Sequence, residues 1–447
     1  MDNDTWNEFC EEVTKIYESL YDNLEGNVAS YIPQLAKVDP KLFGISIFSI
    51  DGRIFNIGDV NETFCIQSCS KTLTYAVALR DNGMDVINRH IGREPSGARF
   101  NAFVFDEDDK PFNPLINSGA IMAASLIKKN DTEDKRFEYI VDIWKSIVGK
   151  TNVGFDNPVY LSEKRSANRN HALAHIMMEN NVFPEKTDID TTLQFYFQLC
   201  SITMNSQSLA KYAAMLANGG TTVDNNTKIF DPKIIRDLLC MMYTSGMYDY
   251  SGRWSFDIGL PAKSGVSGTI FAVIPNVGGI CVYSPKLDNK GNSVRGVEFF
   301  KELTKTYNIH IFDTLISGLN EKKSITKSHE IDTNNIFIYC KNNNYYNLKN
   351  LLYLSEYDVD KGDYDNRRPI HIAVDDKSYL STFALLEHGA NYRLKDRWGQ
   401  NLISIINKNK DTKLSGCFLL YYKTLLEKYY AFYIIKHYST NDGLLSL

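Results

Sequence analysis

The chain has 447 residues, 43% of them hydrophobic and 23% charged, which suits a soluble globular protein of two or three domains. A net charge of −5 without any long Lys/Arg run argues against a nucleic-acid binder. No apolar stretch reaches the roughly 18 residues of a membrane span, and eight cysteines without a Cys-x-x-Cys pair read as reduced thiols of a cytosol-like compartment.

Residues 1–30 are polar and helical in pattern. The opening Met1-Asp2-Asn3-Asp4-Thr5-Trp6-Asn7-Glu8, with Glu11 and Glu12 beyond, is acidic, the opposite of an Arg-rich transit peptide or a basic-then-apolar secretory signal. On this pattern the protein is expected to be cytoplasmic. Residues 31–315 mix short β-branched strands with amphipathic helices, which predicts an enzyme-sized α+β domain. Gly44–Phe48 reads as a strand and Leu73–Leu79 as a helix. Between them lies Gln67-Ser68-Cys69-Ser70-Lys71. If Ser68 opens the helix, Lys71 at i+3 shares its face. A partly desolvated lysine can be neutral enough to take the serine proton, and the helix N-terminus points N–H groups at an oxyanion. The spacing alone selects nothing, because Ser125/Lys128 and Ser324/Lys327 repeat it.

Further along, Lys263-Ser264-Gly265 precedes Thr269–Ile274, which alternates into a strand, and the apolar run Phe271–Tyr283, broken by Pro275, reads as a buried strand. Small residues there would let a substrate approach closely. In serine-acyl enzymes built on Ser-x-x-Lys, a Lys-Thr/Ser-Gly strand faces the nucleophile and supplies the second oxyanion N–H. His171 and His175, at i and i+4, lack the glutamate of a metalloprotease and read as helix-face residues; no metal site is expected. Cys65 and Cys69 read as small packing residues.

Residues 316–332 are polar and charge-rich, a linker. From 333 to 424 a weak repeat emerges: Asp363-Tyr364-Asp365-Asn366-Arg367-Arg368-Pro369-Ile370-His371-Ile372-Ala373 resembles an ankyrin opening, and Asp396-Arg397-Trp398-Gly399 returns 33 residues later (396 − 363). Phe383–Asn391 reads as a second helix and its loop, Ile336–Cys340 and Leu348–Tyr353 as helices of a degraded first repeat, and Ser404 stands where a His is expected. An all-α ankyrin-type segment follows from this, with a Tyr/Phe-rich tail over 425–447.

Several longer stretches carry a resemblance. Tyr31-Ile32-Pro33-Gln34-Leu35-Ala36, Gln67–Lys71, Asn113-Pro114-Leu115-Ile116-Asn117-Ser118-Gly119-Ala120, Ser162-Glu163, Asn168-Arg169-Asn170, Phe195-Tyr196-Phe197-Gln198, Leu216-Ala217-Asn218-Gly219-Gly220, Gly246-Met247-Tyr248-Asp249 and Leu260–Val266 together resemble the glutaminase family. The likeness covers about residues 25–310, and with the repeats added the chain looks like the animal kidney- and liver-type glutaminases. It implies a β-lactamase/transpeptidase-like catalytic domain, an antiparallel sheet with helices. It also implies hydrolysis of L-glutamine without a cofactor, phosphate as an activator, and a homodimer or homotetramer able to form filaments. A mitochondrial address is implied for a chain preceded by a transit peptide.

Carried over by position, Ser68 would be the nucleophile and Lys71 its base, with Tyr248 passing a proton to leaving ammonia and Tyr196 beside the nucleophile. The N–H groups of Ser68 and Val266 would form the oxyanion hole. Tyr31, Gln67, Asn117, Glu163, Asn170, Tyr196 and Tyr248 would line the pocket. Elementary chemistry agrees: free glutamine needs an anion for its ammonium, which Glu163 supplies, and donors for its carboxylate, which Asn117 and Asn170 supply. Arg99–Asp109 corresponds to the family's regulatory loop, with Ala102 where relatives commonly carry Lys and Val104 in place of an aromatic. A penicillin-recognising peptidase and a non-catalytic scaffold acting through the repeats are the competing readings.

Overall fold

The computed structural model describes residues 3–313, 322–325, 333–354 and 358–409. Those up to 313, with 322–325, form one compact unit, and those from 333 onward form a second. The expected tail (425–447) and most of the expected linker lie outside the described residues. Of the linker, 322–325 attach to the first unit: Lys323 N donates to Thr306 O (2.8 Å), and Ile325 is buried there.

The first unit is built on an antiparallel sheet of β1 (Gly44–Ser49), β2 (Ile54–Gly58), β3 (Ala262–Gly265), β4 (Thr269–Ile274) and β5 (Gly278–Tyr283), in spatial order β2-β1-β5-β4-β3. The apolar run expected as one strand is therefore a hairpin. Pro275 cannot continue the ladder, and Asn276 at φ 61° makes the turn that sets Ile274 opposite Gly278. Alternation is muted because both faces are covered. Phe271, Val273, Cys281 and Tyr283 join one core, whereas Ile270, Ala272, Ile280 and Val282 join the other.

Two layers of helix cover those faces. Helix α1 (Asn3–Leu20) and the C-terminal α8 (Val294–Thr306) sit on one side, packing Phe9, Val13 and Ile16 with Phe299, Phe300 and Leu303. Buried Arg295 ties this side together, donating to Ser284 Oγ (2.8 Å), Tyr21 O (3.1 Å) and Leu42 O (2.6 Å). On the other side lies a helical body containing α2 (Ser70–Asn82), α3 (Asn117–Ser125), α4 (Asn157–Arg165), α5 (Asn168–Glu179), α6 (Ile189–Cys200) and α7 (Ser206–Ala217). Helix α7 lies against the sheet so closely that a Cβ on Gly279 would come within 2.4 Å of both Ala213 Cβ and Ala214 N.

The second unit pairs helices Thr333–Lys341 with Tyr345–Leu354 and Pro369–Asp375 with Tyr379–Glu387, followed by Leu402–Asn409. Ile336, Leu348, Ile370, Leu385 and Leu402 share its core. A 33-residue period is visible in its hydrogen bonds. Asp363 Oδ1 accepts from the N–H groups of Asp365 and Arg367, and Asp396 Oδ1 accepts from those of Trp398 and Gln400. His371 Nδ1 accepts from Arg368 N (2.9 Å), and Ser404 Oγ accepts from Asn401 N (2.8 Å). The imidazole also reaches Leu394 O with Nε2 (3.1 Å), a span the serine is too short to make.

Because α7's backbone meets Gly279, the substitution Gly279→Ala is expected to lower unfolding free energy by about 1–3 kcal/mol without changing the urea m-value, as read from equilibrium denaturation.

Candidate active site

Ser68 lies in a single 3-10 turn, Gln67–Cys69, that runs directly into α2, so Lys71 occupies the first turn of that helix. The helical spacing expected from sequence is kept, with the serine one turn earlier than a regular α-helical start. Gln67 pays for this entry with φ 47°, in the left-handed region. Strand β3 closes over the turn. A Cβ on Gly265 would stand 3.1 Å from Ile66 O and 3.2 Å from Cys69 Sγ, so the room the small residues leave is taken by the serine turn itself. Val266 follows at the end of β3. Among the described residues neither the Ser68 nor the Val266 N–H donates to a protein acceptor.

Lys71 is buried. Its Nζ donates to Asn117 Oδ1 (2.7 Å) and Leu115 O (3.3 Å), and Phe100 lies 5.9 Å from it, ring centroid to nitrogen. No carboxylate pairs with it among the described residues, and burial lowers its pKa from 10.5 to about 8. A second buried lysine, Lys263, donates to Ser264 O (2.6 Å) and Gly246 O (3.0 Å) beneath the Tyr248 ring at 4.4 Å. Burial first, and the Lys71 charge second, lower its pKa to about 7.

Tyr248 begins a short 3-10 turn at φ 53°. Burial raises its phenol, and the nearby Ser68 hydroxyl acts in the lowering direction, through an approach that does not close into a full hydrogen bond. Tyr196, also held protonated by burial, donates to Asn117 Oδ1 (3.4 Å). Asn117 Nδ2 donates to Asn170 Oδ1 (3.0 Å), which leaves the Asn170 amide nitrogen uncommitted.

A cavity of about 340 Å³ opens over Ser68. Tyr31, Gln67, Ser68, Asn117, Glu163, Asn170, Tyr196 and Val266 line it, so eight of the ten expected residues share one wall; Lys71 lies behind Asn117, and Tyr248 behind Ser68. Asp156 caps α4 by accepting from Val159 N, which fixes the helix that carries Glu163. Glu163 Oε1 accepts from Tyr31 Oη (2.7 Å) and Gln67 Nε2 (3.1 Å). Burial nevertheless outweighs these donors and raises its pKa, and among the described residues no cation pairs with it.

Sequence reasoning passed over Phe100, Asn101, Arg169 and Cys200, which also line the cavity. Phe100 O accepts from Asn117 N (2.9 Å), so part of the stretch assigned to regulation forms pocket wall. Cys200 could have been found, since it stands at i+4 from Tyr196 on α6. Among the described residues no group of His, Cys, Asp and Glu side chains could hold a metal, and no helix is long and apolar enough to cross a membrane.

An antiparallel sheet backed by helices, with Ser-x-x-Lys at a helix entry and Lys-Ser-Gly on the facing edge strand, places the first unit in the β-lactamase-like class. The description of the Glutaminase family matches residues 26–312, and the chain belongs to that family. It is 40% identical over 401 residues to putative glutaminase 2 of Caenorhabditis elegans, covering 88% of this chain and 66% of that one. It is 35% identical over 395 residues to the mitochondrial liver isoform of glutaminase from Mus musculus, again covering 88% and 66%. A solved structure of the probable glutaminase ybaS superposes with a TM-score of 0.64 at 32% identity, covering 68% of this chain and 97% of that one. The chain thus spans about two thirds of the length of the curated relatives it matches.

The buried Lys71 charge has a signature in stability. Its folded pKa of about 8 lies below the ordinary 10.5, so the wild type is penalised fully below pH 8 and progressively less above it. The stability advantage of Lys71→Met over wild type should therefore be largest near neutral pH and shrink as pH rises toward 10, as measured by urea unfolding at each pH.

Proposed function

We propose that this chain is a glutaminase, hydrolysing the side-chain amide of L-glutamine to L-glutamate and ammonia through a Ser68 ester. The observation that carries the reading is a pocket with two unlike ends. At one end stands a half-buried Glu163 with no cation beside it among the described residues; at the other, a serine beside two N–H groups without protein acceptors among those residues and a lysine that can be neutral. The first end suits the substrate ammonium, and the Asn170 amide suits its carboxylate. The second suits acyl transfer.

Neutral Lys71 takes the Ser68 proton as Oγ attacks Cδ, and the Ser68 and Val266 N–H groups hold the oxyanion. Tyr248, a phenol kept protonated by burial, gives its proton to the departing nitrogen and takes back the one Lys71 received from Ser68, so that Lys71 is neutral again, and Tyr196 holds Asn117 on Lys71. Water then attacks the glutamyl ester, with Lys71 taking the water proton and returning one to Ser68. Neither a metal nor an organic cofactor enters these steps. Names of relatives across animals and bacteria support the same chemistry.

The helix pairs of the second unit, with their 33-residue period, we read as degenerate ankyrin repeats, which joins the chain to the kidney- and liver-type branch. By the same likeness the enzyme works as a homodimer or homotetramer that forms filaments, responds to phosphate, and is cytoplasmic, or mitochondrial where a transit peptide precedes it.

Coupled detection of glutamate from L-glutamine tests the reaction. Ser68→Ala and Lys71→Ala should each lower the rate by at least about 10²–10⁴-fold, and normal turnover by Ser68→Ala would sink the mechanism. Because the base must be unprotonated, kcat/KM should rise with pH through about 8. Glu163→Gln, which keeps the hydrogen bonds but removes the charge, should raise KM for glutamine more than it lowers kcat.

A further inference from the structure

Among the described residues other than glycine, those with a left-handed φ are exposed Asn, Asp or Lys in turns, with two exceptions. Gln67 (φ 47°) and Tyr248 (φ 53°) are buried, one directly before Ser68 in the chain and the other beside its hydroxyl. A tyrosine keeps this backbone only where its surroundings over-determine it. For Gln67 the device is local, since Ser70 Oγ in the next turn donates to its carbonyl (2.8 Å). For Tyr248 the holds come from further away. Three consecutive carbonyls are taken by buried side chains: Gly246 O accepts from Lys263 Nζ (3.0 Å), Met247 O from Asn292 Nδ2 (3.4 Å) and Tyr248 O from Ser251 Oγ (2.7 Å). The Ser251 hydroxyl also accepts from Met247 N (2.9 Å), so it brackets Met247 and Tyr248.

Neither Ser251 nor Asn292 spends its side chain on its own element. The helix that Ser251 opens, Ser251–Asp257, has no side-chain cap, and the hydroxyl reaches back into the turn instead. Asn292 is fully buried, and Asp288 ties its backbone: Asp288 Oδ1 accepts from Asn292 N (2.9 Å), and Asp288 N donates to Asn292 O (2.8 Å). Its amide is thereby left for Met247. Among the described residues no group hydrogen-bonds the Tyr248 hydroxyl, and the ring only packs, against Phe100 (4.7 Å between centroids) and the Lys263 amine (4.4 Å). The phenol is therefore aimed from its backbone, not from its tip. We propose that Ser251 and Asn292 are positioning residues for proton transfer to the leaving nitrogen, acting through Tyr248 by holding the left-handed turn that aims its phenol. This rests on the hydrolase reading above. A misaimed phenol slows acylation by an amide, whose nitrogen must be protonated as it leaves, and spares a substrate whose leaving group departs as a stable anion.

The test measures, in the full chain, kcat/KM for L-glutamine and for the γ-p-nitrophenyl ester of L-glutamate, whose p-nitrophenolate leaves without a proton. The ratio of the two cancels any unfolded fraction. Ser251→Ala and Asn292→Ala should each lower the glutamine-to-ester ratio by about 10-fold, short of the roughly 10²-fold that a full 1 Å misplacement costs. Ser251→Thr, which keeps the hydroxyl, should retain most of it. On a Tyr248→Phe background, where the phenol proton is already gone, neither substitution should lower the ratio further. Ser251→Ala carries the test by itself where Asn292→Ala does not fold. A ratio unmoved by the substitutions, or one that falls as far on the Tyr248→Phe background as on the wild type, overturns the positioning role and leaves the hydrolase reading standing. Absence of glutamate release from L-glutamine by the wild type overturns the hydrolase reading and this inference with it.

Discussion

The site depends on one constraint: the buried Lys71 must go without a carboxylate. An anion beside it would hold the ammonium charged and remove the base. Its partners are instead a carbonyl and an amide oxygen, which satisfy donors without supplying charge. The one carboxylate in the pocket wall, Glu163, is engaged by Tyr31 and Gln67. Lys263 meets the same condition: burial pushes both amines toward neutrality, and the Lys71 charge adds to the push on Lys263.

Positioning follows from the layers. The 3-10 turn and the helix α2 it opens carry Ser68 and Lys71, α3 brings the amide that holds Lys71, α4 contributes Glu163, α5 Arg169 and Asn170, and α6 Tyr196 and Cys200. The sheet's part is played by β3, which among the described residues is an edge strand and rests on the serine turn. That contact brings the Val266 N–H to the same cavity as Ser68, although the two lie almost two hundred residues apart in sequence.

What could be read from sequence was what is local or carried by dense resemblance. The Ser68/Lys71 spacing survives folding because one helical turn fixes it, and the period of the second unit survives because each Asp closes its own turn. Tertiary juxtaposition was harder. Nothing local says that Phe100 will roof Lys71, or that the Lys263 amine will lie under Tyr248. The strand over Phe271–Tyr283 was mistaken for one element because burial on both faces erases the alternation that marks a hairpin's arms, leaving Pro275 as the only clue. The roominess read into Lys263-Ser264-Gly265 was real, but its occupant is the chain itself.

The strand order has a consequence for how the protein comes into being. β1 pairs with β5, setting Gly44 opposite Tyr283 across 239 intervening steps of chain (283 − 44). During synthesis the first hairpin must therefore wait, one edge unsatisfied, while the whole helical body emerges. Closing so long a loop is slow, and an open strand edge invites wrong partners meanwhile. The helical body, whose contacts are more local, is the part suited to form first, and the reactive serine gains its facing strand only among the last events, so that the enzyme is assembled inert and becomes competent on completion of its sheet.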